Sequence, residues 1–139
     1  MENQQSEVLP SEPSMRHDAA IRITMMPRDT NAHGTVFGGI ILSYIDLAGG
    51  VEAVRRTGHD RFVTVAMKEV IFHEPVFIGD LVSFYAATTK VGKTSISIHV
   101  TVEAERFGSP HGQKVKVTEA DVIYVAINQY REKVRISKE

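Results

Sequence analysis

The most constraining stretch of this chain runs from Gly39 to about Arg56. Ile40, Ile41, Leu42, Tyr44, Ile45, Leu47, Ala48, Val51, Ala53 and Val54 fall on nearly every face of a helix. A helix that is apolar all round is a buried helix. Its end reads Arg55-Arg56-Thr57-Gly58: the cations suit the negative end of the helix dipole, and glycine suits the position past the last turn. Gly49 and Gly50 lie inside the helix. Each costs about 1 kcal/mol relative to alanine, which predicts close approach of another backbone there, the alternative being a local kink.

The segments around this helix read as strands. A short one is expected at residues 21–25, ended by Pro27, and a loop of turn formers spans residues 28–37. After Gly58 come 62–72, 81–91, 94–105 and 113–127, separated by Glu74-Pro75, Gly79-Asp80, Gly92-Lys93 and the region 108–112. The third of these alternates cleanly. Ile96, Ile98, Val100, Val102 and Ala104 share one face, and Ser95, Ser97, His99, Thr101 and Glu103 the other, which makes a strand with one buried side. Consecutive strands joined by short turns imply a mostly antiparallel sheet. The fold class is α+β: one sheet wrapped around one helix, whose remaining apolar surface calls for a second subunit.

With 139 residues the chain suits one domain. Residues 1–18 are polar and proline-containing and read as a disordered tail; 19–129 form the domain; 130–139 are charge-rich and are expected to trail off it. The net charge of −1 gives no reason to expect nucleic acid as a partner. No apolar run is long enough for a membrane span, and the first 20 residues lack the apolar core of a secretion signal, so a cytoplasmic location is expected. There is no cysteine, hence no thiolate chemistry.

Asp46 stands between Ile45 and Leu47 in the middle of the apolar helix. Burying an unpaired carboxylate is costly, so Asp46 is either paired with an Arg or Lys, protonated, or placed in a cleft where its charge is used. The glycine pair Gly38-Gly39 opens the same helix. It is either a tight turn or a site where free N–H groups and the positive end of the dipole meet a developing oxyanion. Gly39 and Asp46 are separated by about 10.5 Å at 1.5 Å per residue, too far for both to act on one carbonyl. If both act, Asp46 must come from a partner's antiparallel helix. A dimer with two composite sites follows.

The run Met26-Pro27-Arg28-Asp29-Thr30-Asn31-Ala32-His33-Gly34-Thr35-Val36-Phe37-Gly38-Gly39, followed by Ile45-Asp46-Leu47-Ala48-Gly49-Gly50, resembles the hotdog-fold acyl-CoA thioesterases of the YciA and cytosolic brain-type group. Phe62-Val63-Thr64-Val65, Pro75, Gly79-Asp80, Thr94-Ser95 and Lys116-Val117-Thr118-Glu119-Ala120 match as well, so the resemblance covers about residues 20–128. It implies a dimer, often a trimer of dimers, that hydrolyses acyl-CoA to free acid and CoA with no metal and no cofactor. By position it makes Asp46 the catalytic carboxylate, acting as general base or as nucleophile. Asn31 would place substrate or water, and Gly38 or Gly39 would supply the oxyanion donor. Thr64 would face the site. The turn Gly92, Lys93, Thr94, Ser95 would meet the CoA nucleotide, with Lys93 against a phosphate.

Other readings are weaker. Gly92-Lys93-Thr94 is not a phosphate-binding loop, because Ala87 stands where that motif needs glycine. None of the six histidines, at positions 17, 33, 59, 73, 99 and 111, forms a pair with metal-binding spacing. A dehydratase or hydratase of the same fold would use a histidine with an acid, and the helix holds no histidine. A non-catalytic acyl-CoA sensor would need a DNA-binding module, for which the acidic N-terminal tail is too short. Ile40, Tyr44 and Met67 are the residues expected to line the acyl tunnel.

Overall fold

The structure is a computed structural model that describes residues 18–108 and 112–136. The expected N-terminal tail therefore lies, but for Asp18, outside the described residues. Strand β1 (Ile21–Thr24) leads through a short 3-10 turn to helix α1 (Gly38–Thr57). Strands β2 (Phe62–Phe72), β3 (Leu81–Val91), β4 (Ser95–Arg106) and β5 (Gln113–Ala126) follow. They form one antiparallel sheet in the order β1-β3-β4-β5-β2. This is the expected α+β hotdog architecture.

The helix begins one residue earlier than the sequence suggested. Phe37 is its N-cap in extended conformation, and no side chain caps it. Its C-cap is Gly58, in the left-handed region at φ 82°, with its N–H bonded to the Val54 carbonyl. Ile41, Ile45, Ala48, Gly49 and Ala53 form a single buried stripe. That stripe packs on β3, β4, β5 and β2. The opposite face keeps its apolar side chains in the open, Leu47 at 59% exposure and Val54 at 42%. The close approach anticipated at the glycine pair comes from a side chain of the same chain: a Cβ at Gly49 would collide with the Tyr124 hydroxyl, whereas one at Gly50 would meet open space.

The alternation in β4 is fully expressed. Ile96, Ile98, Val100, Val102 and Ala104 are completely buried beneath the helix. β2 departs from a simple strand. Its pairing with β5 shifts after Thr64 and again after Lys68, each time with one extra residue on β2. Such bulges bend a strand and sharpen its twist. At the second, Glu69 takes φ 53°.

The C-terminal segment also differs from expectation. It does not leave the domain at residue 130. A turn at 128–132 reverses the chain, Val134 N–H bonds the Ala126 carbonyl at 3.0 Å, and Ile136 N–H bonds the Lys93 carbonyl at 2.7 Å. Ile136 joins the core. The charges of Lys133 and Arg135 alternate with Val134 and Ile136; two apolar residues suffice to dock the strip. Residues 137–139 lie outside the described residues.

Candidate active site

The second and third turns of α1 carry Asp46 to the edge of the sheet. Thr64, on β2, donates its hydroxyl hydrogen to Asp46 Oδ1 at 2.6 Å. Tyr124, on β5 directly opposite Thr64, donates to the backbone carbonyl of Asp46 at 2.7 Å. Burial, and then the nearby Asp46 carboxylate, push the Tyr124 phenol well above the ordinary tyrosine range. It stays protonated and remains a donor at any ordinary pH. Among the described residues no Lys or Arg forms an ion pair with Asp46. Asp46 thus sits in an open groove of about 560 Å³, lined by Leu47, Gly50, Val51, Val54, Arg55, Phe62, Thr64 and Tyr124. One carboxylate oxygen is fixed by Thr64, in a largely apolar surround.

Gly38 lies elsewhere. It lines a separate cavity of about 300 Å³ with Val36, Ile41, Phe72, His73, Glu74, Pro75, Val76 and Thr118. The first N–H groups of a helix have no carbonyl behind them in the helix, so Gly38 and Gly39 present donors at this end. The two openings share no residue.

Asn31 is engaged within its own loop. Its Oδ1 accepts from the N–H groups of His33 (2.7 Å) and Thr35 (3.3 Å), and its Nδ2 donates to Thr35 Oγ1 at 2.9 Å. It shapes the 31–35 turn that precedes the helix. Gly92–Ser95 form the tight β3–β4 turn, closed by Gly92 N–H to the Ser95 carbonyl at 2.7 Å. They line neither opening, although Ser95 pairs with Val125, the neighbour of Tyr124. Ile40, Tyr44 and Met67 pack against the core, Tyr44 beside the Phe84 ring at 5.6 Å. Among the described residues no three His, Asp or Glu side chains converge as a metal site, and no helix is long and apolar enough to cross a membrane.

Sequence reasoning passed over Tyr124. Its signal was present, since it shares the inward face of β5 with Ala120 and Val122, but nothing local connects it to Asp46, 78 positions away.

A five-stranded antiparallel sheet curled over one central helix defines the hotdog fold. The sequence model of the thioesterase superfamily matches residues 33–108. The chain is 43% identical over 112 residues to the acyl-CoA thioester hydrolase YciA of Salmonella typhimurium, covering 80% of this chain and 84% of that one. It is 41% identical over the same length and shares to YciA of Escherichia coli K12. A hexameric hotdog fold thioesterase of Campylobacter jejuni superposes with a TM-score of 0.83 at 44% identity, covering 88% of this chain and 92% of the other. The hexameric thioesterase of Yersinia pestis gives 0.79 at 34%, covering 88% and 97%. The chain belongs to the hotdog-fold acyl-CoA thioesterases, in the YciA group.

Proposed function

We propose that this protein hydrolyses acyl-CoA thioesters to the free carboxylic acid and CoA in sites shared between two subunits, with Asp46 as general base. The observation that carries the reading is the separation of Asp46 and Gly38 into two openings along one helix. In a dimer with antiparallel facing helices, each groove meets the partner's helix start. Asp46 takes a proton from water as the water oxygen attacks the thioester carbon. The oxyanion gathers against the N–H groups of Gly38 and Gly39 from the other subunit. Collapse of the adduct expels CoA as thiolate, which takes up the proton. Thr64 supports this role, because it ties down one carboxylate oxygen and leaves the other for water.

The dimer reading rests on exposed apolar surface. Leu47 and Val54 on α1 lie open together with Val65, Ile71 and Phe72 on β2, and β2 is an edge strand. An edge of this kind is a template for pairing with another chain. Three such dimers would make a hexamer of this chain, the number of subunits in the Campylobacter and Yersinia relatives. Asn31 orders the loop that meets the substrate. The turn Gly92, Lys93, Thr94, Ser95 receives the CoA nucleotide, with the exposed Lys93 against a phosphate.

Subunit mixing tests the shared site. Asp46→Ala and Gly38→Pro are each expected to be nearly inactive. Proline is tolerated at the first helical position and after the extended Phe37. Dissociated and reassembled together, the two variants form hybrids in which one of the two sites is intact, restoring up to about a quarter of wild-type thiol release for a two-fold dimer. No restoration places both groups in one chain. Undiminished turnover of Gly38→Pro alone assigns the donor to Gly39.

A further inference from the structure

Thr118 carries a hydroxyl that the fold does not use. The residue is fully buried, and its Oγ1 has no hydrogen-bond partner. Buried side-chain oxygens are almost always bonded, and valine would fill the same volume without the polar atom. The local backbone sets the face of β5 that Thr118 takes. Val102 pairs with Thr118 and Glu103 with Lys116, leaving Val117 as an extra residue in β5. The Val117 carbonyl is instead taken by the N–H groups of His73 (2.7 Å) and Glu74 (3.3 Å). Bulges of this kind re-aim side chains. Thr118 then falls on the inward face and lines the cavity at the start of the helix together with Gly38. Most of the remaining wall is apolar, from Val36, Ile41, Phe72 and Val76. His73 Nε2 is committed to Glu119 at 2.7 Å.

We propose that the Thr118 hydroxyl donates a hydrogen bond to the thioester carbonyl oxygen of the bound acyl-CoA, beside the N–H groups at the helix start. The inference rests on the hydrolase reading for the identity of the ligand. A carbonyl oxygen only accepts, so the hydroxyl donates. In an apolar pocket such a bond is stronger than in water, and it strengthens further as the oxygen gains charge in the transition state. Thr118 is then a catalytic residue on the Gly38 side of the site, across from the partner's Asp46.

The test uses the full chain as wild type, Thr118→Val and Thr118→Ser. Two unreactive CoA thioethers are titrated by calorimetry: a 2-oxoalkyl thioether, which keeps a carbonyl but cannot be hydrolysed, and the plain alkyl thioether of the same length. Thiol release and thermal midpoints are measured alongside. The expected result for Thr118→Val is a midpoint equal to or above wild type, kcat lowered about a hundredfold, and affinity lowered about tenfold for the ketone alone. Thr118→Ser restores both. Unchanged kcat and unchanged affinities with a raised midpoint overturn the proposal, and so does an equal loss for both thioethers, which places the hydroxyl on the CoA arm. Binding of neither thioether by wild type overturns it too. A wild type that releases no thiol, yet binds the ketone in a Thr118-dependent way, removes the hydrolase reading and keeps the contact.

Discussion

The Tyr124 hydroxyl occupies the space that a side chain at Gly49 would need, and from there it reaches the backbone carbonyl of Asp46. A helical glycine read from the sequence as a point of close backbone approach is thus the socket for a tyrosine that anchors the turn bearing Asp46. Gly49→Ala is expected to destabilise the fold by about 1–3 kcal/mol, the usual cost of overfilling a packed site. Removing the hydroxyl in Tyr124→Phe should relieve part of that cost. A double-mutant cycle in urea measures the coupling, and strict additivity would contradict the socket.

Asp46→Ala should leave a folded protein whose hydrolysis falls by at least about a hundredfold, typical of losing a general base. Thr64→Val removes only the hydrogen bond to Oδ1. It should lower kcat about tenfold and leave KM nearly unchanged, because the carboxylate is misoriented while the pocket is intact. A panel of acyl-CoAs from acetyl to palmitoyl, read by thiol release, checks both variants and gives the chain-length preference.

On the outer face of the sheet Glu119 accepts from His73 at 2.7 Å, from His99 at 3.1 Å and from Lys116 at 3.1 Å. The His73 hydrogen bond first, with Lys116 adding to it against the opposing effect of burial, brings the carboxyl down to about 2 from its ordinary 4.5. The unfolded chain therefore binds more protons than the folded one between these values. Stability from Glu119 is complete above about 4.5 and drains away as pH falls toward 2. Glu119→Gln should lower the thermal midpoint at neutral pH, and its gap from wild type should narrow through that acid window. A gap independent of pH would deny the ionic role.

Glu69 holds a left-handed backbone in the second bulge of β2. That conformation costs an ordinary residue about 1–2 kcal/mol, and glycine gives back about 0.5–1 kcal/mol of it as entropy lost on folding. Glu69→Gly should raise stability by about 0.5–1 kcal/mol. Glu69→Val should lower it by about 1–3 kcal/mol. Denaturant midpoints decide.

What could be read in advance followed from local pattern. Arg55 to Gly58 marks the helix end, and the period of two from Ser95 to Ala104 marks the inward face of β4. Asp46 stood out because a carboxylate in an apolar helix contradicts its surroundings. The bulges in β2 were hidden, since an extra residue matters only against a partner strand that follows much later in the chain, as Tyr124 follows Thr64. Val134 and Ile136 were masked by the charges beside them. Tyr124 and Thr118 looked like two more inward residues of a strand; only the folded sheet shows that one anchors Asp46 and the other faces the helix start.

The strand order has a consequence for how the protein is made. β2 is second among the long elements to leave the ribosome, yet among the described residues its one neighbour in the sheet is β5, the latest of these strands in the chain. Until Thr118 and the residues after it are synthesised, β2 has no pairing partner, and Thr64 waits for Tyr124. The nascent chain must carry an apolar helix beside an unpaired strand, the kind of intermediate that aggregates, and such long-range closure is intrinsically slow. The Asp46 groove is therefore among the last features to exist, assembled only when the whole domain is complete.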